Sequence, residues 1–225
     1  MTKECFSIAI DGPSGAGKST IAKAVAAELG ILYVDTGAIY RTIGCAVKER
    51  GIAPRDEAAV TAVLPELSIA MEYGEDGLQH MFLNGRDVTA DIRQHDISMY
   101  ASDVSALPPV REFLLEMQRD MARKHSVIMD GRDIGTVVLP DADVKIFLTA
   151  DVEVRAKRRY DELIGRGTPK EYEQVLSDIK ERDYNDSHRA VAPLKPAEDS
   201  VLVDSSALSF DEAKNTILGI IKERV

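Results

Sequence analysis

The sequence predicts an α/β protein with a central parallel sheet of five strands flanked by helices. Short apolar, β-rich runs alternate with helical segments, the pattern of strands joined by crossover helices. Gly12-Pro13-Ser14-Gly15-Ala16-Gly17-Lys18-Ser19 fits the phosphate-cradling pattern G-x-x-x-x-G-K-[ST]. The loop also stands where such a loop must, between the apolar run Cys5 to Asp11 and the helix former Ile21 to Leu29. Gly30 falls where a helix-ending glycine belongs.

The remaining elements follow in order. Ile31-Leu32-Tyr33-Val34 reads as a second strand, Asp35-Thr36-Gly37 as a turn, and Ala38 to Arg50 as a helix stopped by Gly51. Ser126-Val127-Ile128-Met129 is a third strand, running into Asp130-Gly131-Arg132-Asp133. After the turn at Pro140-Asp141-Ala142-Asp143, Val144 to Thr149 is a fourth strand, and Ser200 to Val203 a fifth. Ser209 with Glu212 fits a capping box that opens the last helix.

Two segments break the alternation. Leu67 to Val88 reads as a small antiparallel insertion, with a hairpin at Tyr73-Gly74-Glu75-Asp76-Gly77-Leu78 and a turn at Asn84-Gly85. Asp151 to Arg189 is charge-dense and poor in apolar anchors. It reads as two helices joined near Gly165-Arg166-Gly167-Thr168-Pro169. Nine basic residues there face ten acidic ones, so it is a mixed solvated surface and no polybasic tail.

Composition excludes several classes. Among 225 residues, 28 basic against 38 acidic give a net charge of −10, the wrong sign for a non-specific nucleic-acid surface. Two cysteines, Cys5 and Cys45, make no disulfide framework or cysteine metal site. The polar start Met1-Thr2-Lys3-Glu4 is no signal peptide, and no apolar run approaches the ~20 residues of a membrane span. The expectation is a single-domain cytoplasmic protein over residues 1–225, without nucleic-acid or membrane partners.

The chemistry begins at the loop. Its amides, at the positive end of a helix dipole, favour bound phosphate. Lys18 can reach the β- and γ-phosphates and Ser19 can ligate magnesium. Asp130-Gly131-Arg132-Asp133 follows a strand's carboxyl end, where open α/β sheets place ligands. An aspartate there can hold magnesium and Arg132 can pair a phosphate, although an Asp-Gly turn serves backbone needs alone just as well. Thr36 and Tyr40 share a helix face; Thr36 also suits a plain N-cap and Tyr40 the core. Arg182, Asp186 and Arg189 are spaced for one helix face, as are Arg155, Arg158 and Arg159. Three like charges on one face repel unless an anion arrives, so the second trio points to phosphate binding, with solvated ion pairs as the plain alternative. His80, His95, His125 and His188 show no ligand spacing.

Together these segments resemble the bacterial-type cytidylate kinases. The resemblance rests on Ile10 to Lys18, Asp35 to Arg41, Asp130 to Val138, Lys180-Glu181-Arg182-Asp183 and Arg189 to Leu194, in family order. It implies a P-loop kinase fold with a monophosphate-binding insert, 64–100, and a helical lid, 155–186. It implies phosphoryl transfer from Mg·ATP to CMP or dCMP by a monomer acting on small nucleotides. Gly12, Pro13, Ser14, Gly15, Ala16, Gly17, Lys18, Ser19 and Thr20 would bind ATP, with Ser19 on the metal. The acceptor site would comprise Thr36, Tyr40, Arg41, Ser102, Arg111, Asp130, Arg132, Asp133, Arg182, Asp186 and Arg189. Within it, Ser102, Arg111 and Asp133 look like cytosine readers, and Arg41, Arg132 and Arg189 like phosphate holders. Arg182 and Asp186 resemble a sugar-facing pair. Asp133 has two readings, base recognition or metal support. Lys18, Arg132, Asp133, Arg158, Arg159 and Arg189 are the candidate catalytic residues. Two other classes fit the loop alone: a kinase for a sugar or shikimate-like acceptor, and a GTPase-like switch. The second lacks the guanine-reading Asn-Lys-x-Asp element.

Overall fold

In a computed structural model of the chain, residues 5–74, 77–165, 167–168 and 170–225 are described, His95 by its backbone alone. The chain divides into two compact units, one built from the segments up to Tyr33 and from Ala122 onward, the other from Val34 to Met121.

The first unit is organised by a five-stranded sheet in the order β2-β6-β1-β7-β8. Its strands are β1 (Ser7–Asp11), β2 (Leu32–Asp35), β6 (Val127–Gly131), β7 (Val144–Thr149) and β8 (Val201–Asp204). β1 pairs in parallel with β6 and β7, and β7 with β8. All five residues of β1 are buried, as expected of a central parallel strand covered on both faces. Ile8, Ile10, Ile128, Ile146 and Leu148 form a core with Ile21 and Val25 of α1 (Lys18–Leu29) and Ile217 and Ile221 of α8 (Phe210–Lys222). Burying each such side chain contributes roughly 1.5–3 kcal/mol. Gly30 ends α1 in the left-handed conformation, and Ser209 and Glu212 form the expected capping box.

The strand positions agree with the sequence reading to within a residue or two, with one consequential shift. Asp130 and Gly131 are the last residues of β6 and not a turn after it. The chain then winds into a π-helical segment, Ile134–Val138. Asp11, at the end of β1, holds that segment: its Oδ1 accepts from Ile134 N at 2.8 Å and its Oδ2 from Gly135 N at 2.7 Å. Next in the chain, Gly12 lies so close to β7 that a Cβ there would come within 1.9 Å of Leu148 O. Its φ of 150° also suits glycine alone.

Asp151 to Arg189 does form two helices, α6 (Val152–Gly165) and α7 (Tyr172–His188). The expected joint at 165–169 is described at Gly165, Gly167 and Thr168; Arg166 and Pro169 lie outside the described residues. The expectation of few apolar anchors is corrected. Ala156, Leu163, Val175 and Ile179 are buried together, with Tyr160 edge-on to Tyr172 beside them. Helical spacing gathers these scattered apolar residues onto the two facing sides.

The second unit contains α2 (Thr36–Glu49), α3 (Glu57–Val63), α4 (His95–Val104), α5 (Pro108–Lys124) and an antiparallel sheet β3-β4-β5. The sheet comprises β3 (Ile69–Tyr73), β4 (Gln79–Leu83) and β5 (Arg86–Asp87), so the expected insertion is present. Asn84 and Gly85 both have positive φ, as a tight hairpin turn requires. Of the hairpin at 73–78, Glu75 and Asp76 lie outside the described residues.

The turn expected at Asp35-Thr36-Gly37 is absent. β2 passes directly into α2, because Asp35 is itself the N-cap: its side chain accepts from Ala38 N at 2.9 Å. Thr36 is therefore the first helical residue and not the cap. The sequence reading also missed α3, α4 and α5. α5 opens on Pro108-Pro109 and carries Val110, Leu114 and Gln118 on its buried side at helical spacing.

The Asp11 clamp is testable. Burial pushes its carboxyl up from 3.8 to about 6, against the lowering effect of the two N–H donors. The folded chain thus holds this proton more tightly than the unfolded chain, and the group's contribution to stability declines as pH rises from about 4 to 6. Asp11→Ala strands two buried N–H groups at about 1–3 kcal/mol each, offset in part by loss of a buried charge. The thermal midpoint should fall by roughly 4–10 °C, read by calorimetry at neutral pH; an unchanged midpoint would contradict the clamp.

Candidate active site

In the first unit, α1 begins inside the loop. Gly17 is its N-cap, at φ 91°, and Lys18 and Ser19 are its first two residues. Lys18 is buried, 5% exposed, and its Nζ donates to Pro13 O at 2.8 Å. Burial and the nearby Arg132 guanidinium lower its pKa to about 7, although Asp130, Asp186 and Asp11 pull the other way. Ser19 Oγ donates to Asp130 Oδ2 at 2.8 Å, and Tyr33 OH donates to Asp130 Oδ1 at 2.9 Å. Hydroxyl and carboxylate oxygens thus meet at the carboxyl ends of β1 and β6.

Beside them lies a cluster of buried ions. Arg132 Nε donates to Asp186 Oδ2 at 2.7 Å, and Arg189 Nη2 pairs with Asp133 Oδ1 at 3.3 Å. Burial opposes the Asp186 charge, yet Arg132, Arg182 and Arg189 hold its carboxyl below the ordinary range. Asp186 thus joins Arg132 by a direct bond, while Arg182, four residues away on α7, adds its field. Arg189 also donates from Nε to Ala192 O at 2.6 Å.

The three arginines of α6 are distributed differently from the expectation. Arg155 is buried, donating to Ala150 O at 2.7 Å and Ser14 O at 3.0 Å and pairing with Asp183 at 2.7 Å. Arg158 donates to Ser205 O at 2.7 Å, and Arg159 pairs with Glu162 at 2.8 Å. Each guanidinium has its own hydrogen-bond partner, and Arg155 and Arg159 are also paired with carboxylates. Ser205, 1% exposed, also donates to Thr149 O at 3.0 Å.

In the second unit, Thr36 is buried at the start of α2. Tyr40, one turn on, lies under the Arg111 guanidinium, 5.5 Å from its ring centroid. Arg111 is buried and donates to Ser105 O at 3.0 Å. Ser105 Oγ in turn donates to the carbonyl of Ser102 at 2.8 Å, so Ser102, Arg111 and Tyr40 belong to one neighbourhood. Arg41 Nη2 pairs with Asp35 Oδ2 at 2.7 Å.

Several participants escaped the sequence reading: Tyr33 on Asp130, Asp35 on Arg41, Asp183 on Arg155, and Ser205 on Arg158. Asp35 carried a usable signal, an aspartate between a strand and a helix. The other three depend on elements distant in sequence.

A parallel sheet with a glycine-rich loop between β1 and α1, and a lysine and serine opening that helix, defines an α/β kinase of the P-loop fold class. A crystal structure of an uncharacterized protein from Eubacterium ventriosum shares the fold at TM-score 0.52 and 16% identity, over 97% of this chain and 99% of that one. The family model for cytidylate kinase matches residues 8–223. A cytidylate kinase of Caldicellulosiruptor bescii is 51% identical over 213 residues, 95% of this chain and 94% of that one. One of Thermosipho melanesiensis is 48% identical over 217 residues, 96% of this chain and 97% of that one. The chain belongs to the cytidylate kinase family.

The buried pair makes its own prediction. Removing one partner of a buried ion pair strands the other charge, at a cost of roughly 3–5 kcal/mol. Asp186→Ala should lower the denaturation midpoint accordingly. In double-mutant cycles on stability, Arg132 and Asp186 should couple by about 1–3 kcal/mol, more strongly than Arg182 and Asp186. A stronger coupling to Arg182 would contradict the assignment of the direct bond.

Proposed function

We propose that the chain transfers the γ-phosphoryl group of ATP to CMP or dCMP, giving ADP and CDP or dCDP. Membership of the cytidylate kinase family carries this reading, and the residues collected at the ends of β1 and β6 suit it. Family membership takes the acceptor away from sugars and shikimate-like acids and the chain away from nucleotide switches.

An acceptor phosphate oxygen attacks the γ-phosphorus, and the bond from that phosphorus to the oxygen of the leaving ADP breaks. The acceptor's second pKa is about 6, so it is largely ionised at neutral pH and needs no strong general base. The task is to hold two polyanions in line and to stabilise charge on the transferring group. Gly12 to Thr20 would bind the donor. Lys18, whose charge burial disfavours, gains from each phosphate oxygen the counter-charge that favours its ammonium form. Arg132, Arg189 and Arg41 would hold acceptor phosphate, with Arg158 and Arg159 on the donor side.

Ser19 Oγ and Asp130 offer hard oxygen ligands of the kind magnesium takes alongside phosphates. Bound there, the ion would neutralise charge on the phosphate oxygens. Among the described residues no group of three or more His, Cys, Asp or Glu could hold a metal. Asp133, paired with Arg189, reads more naturally as part of the acceptor side than as a metal ligand.

Thr36, Tyr40, Ser102, Arg111 and Asp133 would receive the cytosine nucleoside, with Arg182 and Asp186 at the sugar. Residues 64–100 would serve as the monophosphate-binding insert and 155–186 as a lid that closes on bound nucleotides. The shared core of α6 and α7 suits motion as one piece. The same reading gives a monomer working on free nucleotides in the cytoplasm. The net charge of −10 disfavours nucleic acid, and no described helix is long and apolar enough to cross a membrane.

The direct test is an acceptor panel of CMP, dCMP, UMP and AMP, read as ADP formation. CMP and dCMP should lead. UMP should follow at lower kcat/KM, because uracil presents an acceptor where cytosine presents an amino donor, leaving a site group unmatched. AMP as the best acceptor would overturn the reading.

A further inference from the structure

The geometry points to Gln79 as a positioning residue for the acceptor phosphate, acting through Asp35 on Arg41. The proposal rests on the reading of Arg41 as a phosphate holder and extends it to the insert.

Gln79 is the first residue of β4, in the small antiparallel sheet, and is half-buried. Its carboxamide grips both backbone polar groups of one residue. Asp35 N donates to Gln79 Oε1 at 2.8 Å, and Gln79 Nε2 donates to Asp35 O at 3.2 Å. A backbone N–H can only donate and a carbonyl can only accept, so this pairing also fixes which end of the amide is which. Asp35 is the residue at which β2 becomes α2. The carboxamide therefore immobilises the backbone at the corner where direction changes.

The Asp35 side chain is fully engaged on the other side of that corner. Oδ1 caps Ala38 N at 2.9 Å, and Oδ2 takes Arg41 Nη2 at 2.7 Å. The packing around the pair is close: a Cβ on Gly37 would lie 3.1 Å from both Asp35 Oδ1 and Arg41 Nη1. One bond from one carboxylate oxygen thus orients a guanidinium with five N–H donors. Its Nε is buried and has no hydrogen-bond partner among the described residues. A buried donor without a partner costs free energy, so the arginine is held in a posture that protein groups do not complete and that an anion can.

The chain of contacts is therefore insert strand, strand–helix corner, carboxylate, guanidinium. A glutamine at that place supplies both a donor and an acceptor at one reach, which no apolar or charged residue of its length does. Arg41 without the grip on Asp35 would keep its charge and lose its fixed direction. The loss should appear in acceptor binding, not in donor binding.

Gln79→Leu removes both bonds at nearly constant volume and should raise the KM for CMP roughly tenfold, the worth of a hydrogen bond or two. The KM for ATP should stay within about twofold, and the folded state is checked by its melting transition. Gln79→Glu keeps an acceptor for Asp35 N but no donor for its carbonyl, and should give a smaller rise; it also serves if the leucine variant does not fold. The deciding measurement is a cycle with Arg41→Ala. If Gln79 acts through Arg41, Gln79→Leu should add little to the KM for CMP in the Arg41→Ala background. Full additivity would overturn the proposal, as would an unchanged CMP KM in Gln79→Leu beside a raised one in Arg41→Ala. An unchanged CMP KM in Arg41→Ala itself would instead overturn the reading of Arg41 as a phosphate holder.

Discussion

The register of β1 against β6 is the constraint on which the site depends. Ile10 lies opposite Asp130 and Asp11 opposite Gly131, with Asp11 also opposite Phe147 of β7. Side chains alternate faces along a strand, so a slip of one residue would carry Asp130 to the other side of the sheet. It would then lose Ser19 and Tyr33 together. The register itself is secured by burial of every residue of both strands, because a slipped strand would bring Asp11 or Asp130 into the apolar layers.

Given that register, the site has a common electrostatic logic. Parallel strands end side by side, and the segments leaving them bring ions into a buried region. Such ions persist when each has a partner and good geometry. Arg132 has Asp186, Arg189 has Asp133 and Arg155 has Asp183. Lys18 has the carbonyl of Pro13 as its hydrogen-bond partner, and burial together with the Arg132 charge lowers its pKa to about 7. A binding site for two polyanions is well served by such an arrangement. Lys18, Arg155 and Arg189 are already desolvated, so little reorganisation of them would be needed when phosphate oxygens arrive.

Much of this was legible in the sequence because it is local. The loop, its flanking strand and helix, the four later strands and the Ser209–Glu212 capping box each declare themselves within about ten residues. So did the Asn84-Gly85 turn, whose chemistry fixes its backbone. What escaped was set by tertiary context. α4 carries few strong apolar markers, and α5 begins at a proline pair that reads equally as a loop. Asp130 and Asp133 stand three apart in one motif, yet one meets the loop serine and the other an arginine 56 residues away. The arginines of α6 share a face by spacing, but two of the groups that partner them, Asp183 and Ser205, come from segments distant in sequence.

In the proposed function, the carboxyl ends of β1 and β6 are the metal-nucleotide end of a phosphotransferase. Asp130→Asn tests it most directly, since it keeps the size of the side chain and an oxygen for Ser19 while removing the charge. Phosphoryl transfer to CMP should be followed as magnesium is titrated at fixed, saturating ATP. The half-saturating magnesium concentration should rise on the order of tenfold or more, with the melting transition retained. A folded Asp130→Asn variant with the magnesium dependence of the unaltered chain would contradict the claim.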